Sequence, residues 1–305
     1  MFASLWIVST VCAAAAQSLR NALQRGLTVT LGTLGATHVR FLFGLPFAIL
    51  FLALAVVVTG ARPAPSLAFW GWAALGGLGQ IAATACMLHA MRARSFLVTI
   101  AYTKTEPVQV ALFGIAFLAE VPGPMVVAAI VAATAGVMIM SWPKPGAQGG
   151  LAEGEGGRRA MLGSAVLGIA AGGFFGLAAV FFKASILTSG TPHFFVAAST
   201  TLVASLAVQS AVLTVWLMTT DRRVMGEIFR QWRPSISAGF LGAFASQCWF
   251  VGFALAPVAA VRTLGLVEIF FAQILSRSLM KERPSKRELA GIALLVAGVV
   301  LVLQA

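Results

Sequence analysis

The sequence predicts an all-α integral membrane protein with ten transmembrane helices arranged as two inverted five-helix repeats. Three observations predict this fold class. Hydrophobic residues make up 59% of the 305 residues, charged residues make up 10%, and the mean hydropathy is +0.94. A soluble fold of this length could not bury so much apolar surface. The apolar residues fall into runs of about 20, the length that a helix needs to cross a bilayer. The third observation is an internal duplication.

The apolar runs divide into ten candidate spans. These spans lie near residues 4–27, 33–58, 68–90, 95–118, 123–142, 160–186, 192–219, 235–256, 257–280 and 286–304. They lack the alternating polarity of ten-residue barrel strands, which favours helices. The first run contains four consecutive alanines, as signal peptides do before their cleavage site, but it has no basic segment at its start. We therefore expect the first run to be a spanning helix.

The duplication relates residues 106–137 to residues 268–299 at a constant offset of 162 residues, without a gap. Glu106 in the first copy corresponds to Glu268 in the second. A hydrophilic segment rich in Pro and Gly lies between the copies and predicts a linker. The predicted first repeat, linker and second repeat are residues 1–142, 143–159 and 160–305. Because each repeat has five spans, the second must enter the membrane in the opposite orientation, as in the inverted repeats of secondary transporters.

Positive charge follows the connections between the spans. The formal net charge is +12, and most Lys and Arg residues lie at odd-numbered connections, with Arg62 at an even-numbered one. Under the positive-inside rule, this bias predicts an inner-membrane protein with both termini outside the cell. The sorting counts Arg20 with the first connection. No aromatic-rich basic patch accompanies the charge, so we do not expect nucleic acid as a partner.

A short motif recurs in both copies. It consists of residues 102–108 (Tyr-Thr-Lys-Thr-Glu-Pro-Val), Glu120 and residues 135–137 (Ala-Gly-Val) in the first copy, and of Glu268, Glu282 and residues 297–299 (Ala-Gly-Val) in the second. The pattern resembles the paired EamA domains of the drug/metabolite transporter superfamily, and the resemblance covers the whole chain in two units. It implies a ten-helix inverted-repeat carrier that commonly exports amino acids or other small metabolites. The second copy has Ile269 where the first has Pro107, so the two helices need not bend alike.

Ionisable groups within the spans are the first candidates for a functional site, because each costs roughly 2.5–3.5 kcal/mol at the bilayer centre. Six qualify: Arg40, Lys104, Glu106, Lys183, Arg262 and Glu268. The excess of basic groups favours an anionic or carboxylate-bearing ligand. Lys183 and Arg262 are the preferred ligand residues, because at the offset of 162 they correspond to Asn21 and Ile100 and so break the repeat. The alternatives are pairing with the two glutamates, or extension towards a membrane interface.

The two glutamates have two interpretations. They either hold the two halves together, or one or both face a cavity and bind an amine or carry a coupling proton. Tyr102 shares a helical face with Glu106, whereas Lys104 lies about 200° round the helix from Glu106 and cannot pair with it. Arg40 is expected to anchor an interface or a neighbouring helix, with a functional role as the alternative. The remaining substrate-binding candidates, at positions suited to cavity lining or to hydrogen bonds between helices, are Gln80, Gln247 and Trp249.

These features predict a secondary transporter, and not an enzyme, that moves small polar metabolites by alternating access around a midplane cavity. Amino acids or related carboxylates are the favoured cargo, and the family resemblance favours export. One alternative is an exchanger of phosphorylated or nucleotide-linked metabolites, which the basic excess would also suit. Alternatives from other classes are a non-transporting membrane receptor and a lipid-modifying membrane enzyme.

The sequence indicates few partners. It has no glycine-rich phosphate loop, and its three histidines are scattered, so we expect no cofactor and no metal. The expected partners are a small-molecule substrate, membrane lipids and coupling protons. We expect the chain to be a monomer or a weak homodimer.

Overall fold

The computed structural model describes residues 4–93, 102–141, 155–271 and 286–305. Within these ranges the regular structure is helical, which confirms the all-α prediction for the described part of the chain. The helices are α1 (Leu5–Leu42), α2 (Leu45–Thr59), α3 (Leu67–Ala93), α4 (Glu106–Leu118), α5 (Pro124–Ser141), α6 (Glu155–Leu187), α7 (Phe194–Thr220), α8 (Arg222–Arg230), α9 (Trp232–Leu255), α10 (Val258–Leu264) and α11 (Lys286–Gln304). A 3-10 turn, Gly265–Val267, follows α10.

Several helical segments are long and apolar enough to cross a membrane. Within the described ranges they are Gly26–Thr59, Ala165–Leu187, Phe194–Thr220 and Trp232–Leu255. Shorter apolar helices are Glu106–Leu118, Pro124–Met140 and Leu289–Gln304. The chain is therefore a multi-pass membrane protein, as its composition predicts. The count of ten spans and the inverted orientation of the repeats remain predictions.

Parts of four predicted segments lie outside the described residues. They are residues 95–101 of the fourth span, 142 of the fifth span, 143–154 of the linker and 272–280 of the ninth span. The last residues of the predicted linker are helical, because α6 begins at Glu155.

The predicted boundary between the first two spans falls inside α1. At Gly32 the backbone leaves helical geometry, with φ of 66° and ψ of 177°, a region that glycine reaches without steric penalty. The side-chain amide of Gln24 donates to the carbonyl of Ala36, twelve residues later, at 2.8 Å. A straight helix would hold these residues about 18 Å apart, so α1 folds back into two arms. Arg20 lies inside the first arm, and not in a connection as the charge sorting placed it.

The chain forms two compact units that do not coincide with the sequence repeats. Unit 1 consists of Met1–Leu78 and Phe181–Ala256, and unit 2 consists of Gly79–Val180 and Pro257–Ala305. Each unit therefore takes segments from both predicted repeats.

The core of unit 1 is built on α1 and α9, which pack extensively along their length. One apolar cluster gathers both arms of α1 with α7, α8 and α9, and its buried members are Leu27, Leu31, Ala36, Val39, Leu217, Ile228 and Ala238. The two arms of α1 thus stay together because both bury apolar side chains in the same cluster.

Unit 2 contains a close pair of helices, α5 and α11, which are equivalent elements of the two sequence copies. A methyl group on Gly136 would lie 2.6 Å from the carbonyl oxygen of Gly291, and one on Gly298 would lie 2.8 Å from that of Ala129. At the offset of 162, Gly298 corresponds to Gly136 and Gly291 to Ala129. The two contacts are therefore reciprocal, as in an isologous two-fold interface. Small residues allow this approach, which drives helix association in lipid by van der Waals packing.

We expect substitution of Gly136 by Ala to destabilise the protein, because the new methyl group would press on backbone atoms that cannot move aside alone. Overpacking of this kind costs about 1–3 kcal/mol. Thermal unfolding of the purified protein in detergent measures the loss. The matched control is Gly123→Ala, whose methyl group would meet no heavy atom within 4 Å. Equal melting temperatures for the two variants would contradict the close packing of α5 on α11.

Candidate functional site

The helix that carries Glu106 is interrupted just before that residue. α4 begins at Glu106, and Pro107 occupies its first turn. A proline ring clashes with the carbonyl four residues earlier and offers no N–H, so the helix cannot continue smoothly backwards. Thr105 instead donates its backbone N–H to the carbonyl of Tyr102, at 3.2 Å. Tyr102 and Glu106 therefore do not share the face of one continuous helix that their spacing predicts.

The second copy is interrupted at the equivalent place without a proline. The 3-10 turn Gly265–Val267 separates α10 from the helical backbone that resumes at Glu268. At the offset of 162, this turn corresponds to residues 103–105. Gly265, a poor helix former, is the residue in the turn that favours the break. Both glutamates consequently lie directly after a break in the regular α-helical hydrogen bonding.

Each glutamate forms an ion pair with a basic residue of the other sequence copy. The Nε atom of Arg262 lies 3.1 Å from Oε1 of Glu106. The Nζ atom of Lys104 lies 3.3 Å from Oε2 of Glu268. The four side chains are 13–18% exposed, and all four residues belong to unit 2. We refer to them below as the crossed ion pairs.

The crossed ion pairs match in their acids and differ in their bases. Glu106 and Glu268 are equivalent positions. Lys104 lies two residues before Glu106 in the sequence, whereas Arg262 lies six residues before Glu268, so the two bases are not equivalent. Arg262, a preferred ligand candidate from the sequence, is thus found in the alternative arrangement, charge pairing. Two of the four basic groups behind the anionic-ligand argument are matched by acids. The helical spacing of Lys104 and Glu106 excluded an ion pair between them. It did not indicate that Glu268 is the partner of Lys104.

Glu120, a residue of the recurring motif, lies in the turn after α4. Its Oε2 accepts a hydrogen bond from the backbone N–H of Val258 at 2.9 Å, so it caps the start of α10 in the other sequence copy. The preceding residue, Ala119, has φ of 54° in the left-handed region. The equivalent Glu282 lies outside the described residues.

Three of the sequence candidates are buried in unit 1. Lys183 is 8% exposed, and its ammonium group donates to the carbonyl of Ala256, the C-cap of α9, at 2.7 Å. A cation is stabilised there by the helix dipole. The indole N–H of Trp249 donates to Oε1 of Gln17 at 3.1 Å. Gln247 is 5% exposed, and neither atom of its amide has a hydrogen-bond partner among the described residues. Gln80 of α3 belongs to unit 2 and is half-buried.

Arg40 is accompanied by an arginine that the sequence analysis did not place at the site. A methyl group on Gly242 of α9 would lie 2.9 Å from Cγ of Arg40 and 3.6 Å from Cδ of Arg20. Arg20 is 5% exposed. The sequence could have indicated that Arg20 is buried in a span, because at the offset of 162 it corresponds to Phe182, an apolar residue inside a span.

The structure thus sorts the ten sequence candidates into two groups. Those in unit 2 are Gln80, Tyr102, Lys104, Glu106, Arg262 and Glu268, and those in unit 1 are Arg40, Lys183, Gln247 and Trp249.

Comparison with known proteins identifies the second half of the chain. Residues 162–304 match the EamA-like transporter family. These residues are an EamA-like transporter domain. The EamA-like domain contains Lys183, Arg262 and Glu268, and the match confirms the resemblance that the motifs suggested. The family is one of transporters, which are typically not enzymes.

The overall fold is also shared with a solved protein. One crystal structure matches the chain with a TM-score of 0.71 at 15% sequence identity, covering 98% of this chain and 94% of the other. At this identity the likeness concerns the fold. No curated protein matches the chain in sequence.

We expect Glu106→Gln and Arg262→Gln each to destabilise the protein by about 3–5 kcal/mol, because each leaves an uncompensated charge in a poorly solvated site. The double variant should lose less unfolding free energy than the sum of the losses in the two single variants. Unfolding in detergent, analysed as a double-mutant cycle, measures the coupling. The control is the exposed pair between Arg230 and Glu227, for which we expect a coupling of about 0.5 kcal/mol or less. Strictly additive losses at Glu106 and Arg262 would contradict a direct pair.

Proposed function

We propose that the chain is a secondary transporter of small polar metabolites that works by alternating access. The observation that carries the proposal is the crossed ion pairs, whose two glutamates lie at equivalent positions of the repeat within otherwise apolar segments. Charges inside membrane helices are costly and are retained mainly where they serve substrate or ion pathways. Membership of residues 162–304 in a transporter family supports the same conclusion.

The broken helices support a transport site at the crossed ion pairs. Non-helical backbone at membrane depth is tolerated where it is buried in protein or lines a cavity. Discontinuous helices of this kind hold the substrate and coupling ions of many secondary transporters. The backbone is interrupted directly before Glu106 and directly before Glu268. We propose that these two turns, with Tyr102 and Gln80 of the same unit, belong to the transport site.

Within this site the glutamates are the candidates for coupling. A carboxylate that is held by a cation can exchange that partner for a proton or for an amine of the substrate. Glu106 and Glu268 each have one such cation, Arg262 and Lys104. We propose that one of the pairs opens during the transport cycle.

The proposed cargo is an amino acid or a related carboxylate, and the proposed direction is export across the inner membrane with both termini outside. Lys183, buried in unit 1, supports an anionic cargo. A second candidate is exchange of phosphorylated metabolites, which the same buried basic groups would suit.

Uptake into proteoliposomes tests the role of the pairs. We expect Glu106→Gln and Glu268→Gln each to lower the initial uptake rate of labelled glutamate, succinate or phosphate by about tenfold or more, the equivalent of 1.4 kcal/mol. A charge swap, Glu106→Arg with Arg262→Glu, should restore stability without restoring transport. Glu227→Gln, a change of the same chemistry at an exposed site, serves as the control and should transport normally.

Two results would contradict this proposal. Full transport by the charge-swapped protein would limit the pair to holding the fold. Absence of uptake of any of the three probes by the wild-type protein, under either direction of the substrate gradient, would argue against transport of small anionic metabolites.

A further inference from the structure

The short helix α8 joins two membrane-spanning helices of unit 1. The first, α7, ends at Thr220, and the second, α9, begins at Trp232. Asp221 is the one residue between α7 and α8, and Gln231 is the one residue between α8 and α9. Because both ends of α8 are attached so directly, the helix lies at the level where the two spans end.

One face of α8 is buried in the apolar cluster of unit 1. Ile228 is fully buried, and Val224 and Met225 pack against the same cluster. A methyl group on Gly35 of α1 would lie 2.7 Å from Cγ1 of Val224, so α8 lies close against α1. These contacts fix the rotation of α8 about its axis, and with it the direction of the opposite face.

The opposite face of α8 is basic and open. Arg222, Arg223 and Arg230 are exposed. Gly226 lies three or four residues from each of them, so the four residues share the face that points away from Ile228. A methyl group on Gly226 would meet no heavy atom of the described residues within 4 Å. There is therefore room above Gly226 for a ligand that contacts the arginines.

The acidic residues of this segment do not balance its arginines. Residues 221–233 contain four arginines and two acidic residues, an excess of two positive charges. Asp221 accepts the backbone N–H of Arg223 at 3.2 Å and so caps the start of α8. Glu227 lies 3.6 Å from Arg230 in an exposed pair, and pairs of this kind contribute little.

Exposed aromatic side chains flank the basic face. Phe229 is 58% exposed and Trp232 is 50% exposed. The ring of Phe229 lies 6.3 Å from that of Phe43, at the end of α1. The guanidinium carbon of Arg233 lies 5.4 Å from the centre of the Trp232 ring. Arginines with neighbouring aromatic rings are typical of segments at the bilayer interface, where the rings meet acyl chains and the charges meet headgroups.

The other end of unit 1 is not basic in this way. There the backbone N–H of Ala64 donates to the carbonyl of Ser189 at 3.2 Å. The hydroxyl of Ser66 donates to the carbonyl of Thr188 at 3.3 Å. From this end α7 runs for 27 residues, about 40 Å, towards α8. The connections that meet here, residues 60–66 and 188–193, contain a single arginine and no lysine, and that arginine is Arg62.

We propose that α8 and its flanking residues form a binding surface for anionic phospholipid headgroups, such as that of phosphatidylglycerol. Guanidinium groups suit this role, because their planar N–H forks bind two oxygens of a phosphate. A lipid fits the surface better than a soluble anion does, because α8 lies at the ends of two spans and carries exposed rings beside its arginines. The inference does not depend on the proposed transport function.

Thermal unfolding of the purified full-length chain in detergent, with lipid titrated into the micelles, tests the surface. Phosphatidylglycerol is compared with phosphatidylcholine of the same acyl chains and with inorganic phosphate at equal ionic strength. We expect phosphatidylglycerol to raise the melting temperature in a saturable manner and to act at a lower concentration than the other two probes. Added sodium chloride should weaken the response, because salt screens exposed charges.

A charge series at Gly226 isolates the contribution of α8. Gly226→Glu places a carboxylate beside the arginines, Gly226→Lys adds a positive charge, and Gly226→Gln is the uncharged control. Each replaces an exposed helical glycine by a better helix former, so the lipid-free melting temperature should not fall. Relative to the glutamine variant, we expect the half-maximal phosphatidylglycerol concentration to rise about fivefold for glutamate and to fall about fivefold for lysine. Arg62→Gln, at the other end of unit 1, should respond like the wild type.

Equal responses of Gly226→Glu and Gly226→Lys to phosphatidylglycerol would overturn the proposal, because the lipid would then bind elsewhere. An equal response of the wild-type protein to phosphatidylcholine or to inorganic phosphate would also overturn it, since the surface would not select an anionic lipid. If Gly226→Glu does not fold, Arg223→Gln combined with Arg233→Gln decides the question. This double variant keeps the buried face of α8, and we expect it to need about 25-fold more phosphatidylglycerol.

Discussion

Lipid does not solvate charge, and this constraint governs the interior of the molecule. A lone carboxylate or guanidinium inside a membrane helix is costly, so each must find a counter-charge, a helix end or a ligand. In unit 2 the crossed ion pairs meet the constraint twice, through Glu106 with Arg262 and Glu268 with Lys104. Both acids also lie directly after a break in the regular α-helical hydrogen bonding. The interruptions of the helices and the placement of the charges are therefore two parts of one arrangement.

The same pairs explain why the sequence copies do not fold as separate bodies. Each glutamate relies on a base from the other copy, and α5 packs on α11 through reciprocal small-residue contacts around Gly136 and Gly298. Without a hydrophobic driving force between helices in lipid, such close contacts and buried polar pairs supply much of the association. Unit 2 accordingly draws its helices from both copies, and unit 1 does the same.

The ion pairs of unit 2 change the roles that can be assigned to the basic residues within the spans. From the sequence, the excess of basic groups in the spans favoured an anionic ligand, with Lys183 and Arg262 as the preferred ligand residues. In the structure, Arg262 and Lys104 each form an ion pair with a glutamate of unit 2.

The sequence by itself determined the all-helical membrane class, the duplication, the family of the second half and the identity of Glu106 and Glu268 as residues of interest. These follow from hydropathy, offset and local chemistry, which are readable along the chain. The tertiary structure alone decided the partners. Lys104 meets Glu268 from 164 residues away, and Gln24 meets the carbonyl of Ala36 because α1 folds back at Gly32. Pairing depends on which helices pack together, and hydropathy, which reports only that a segment prefers lipid, carries no information about its neighbours.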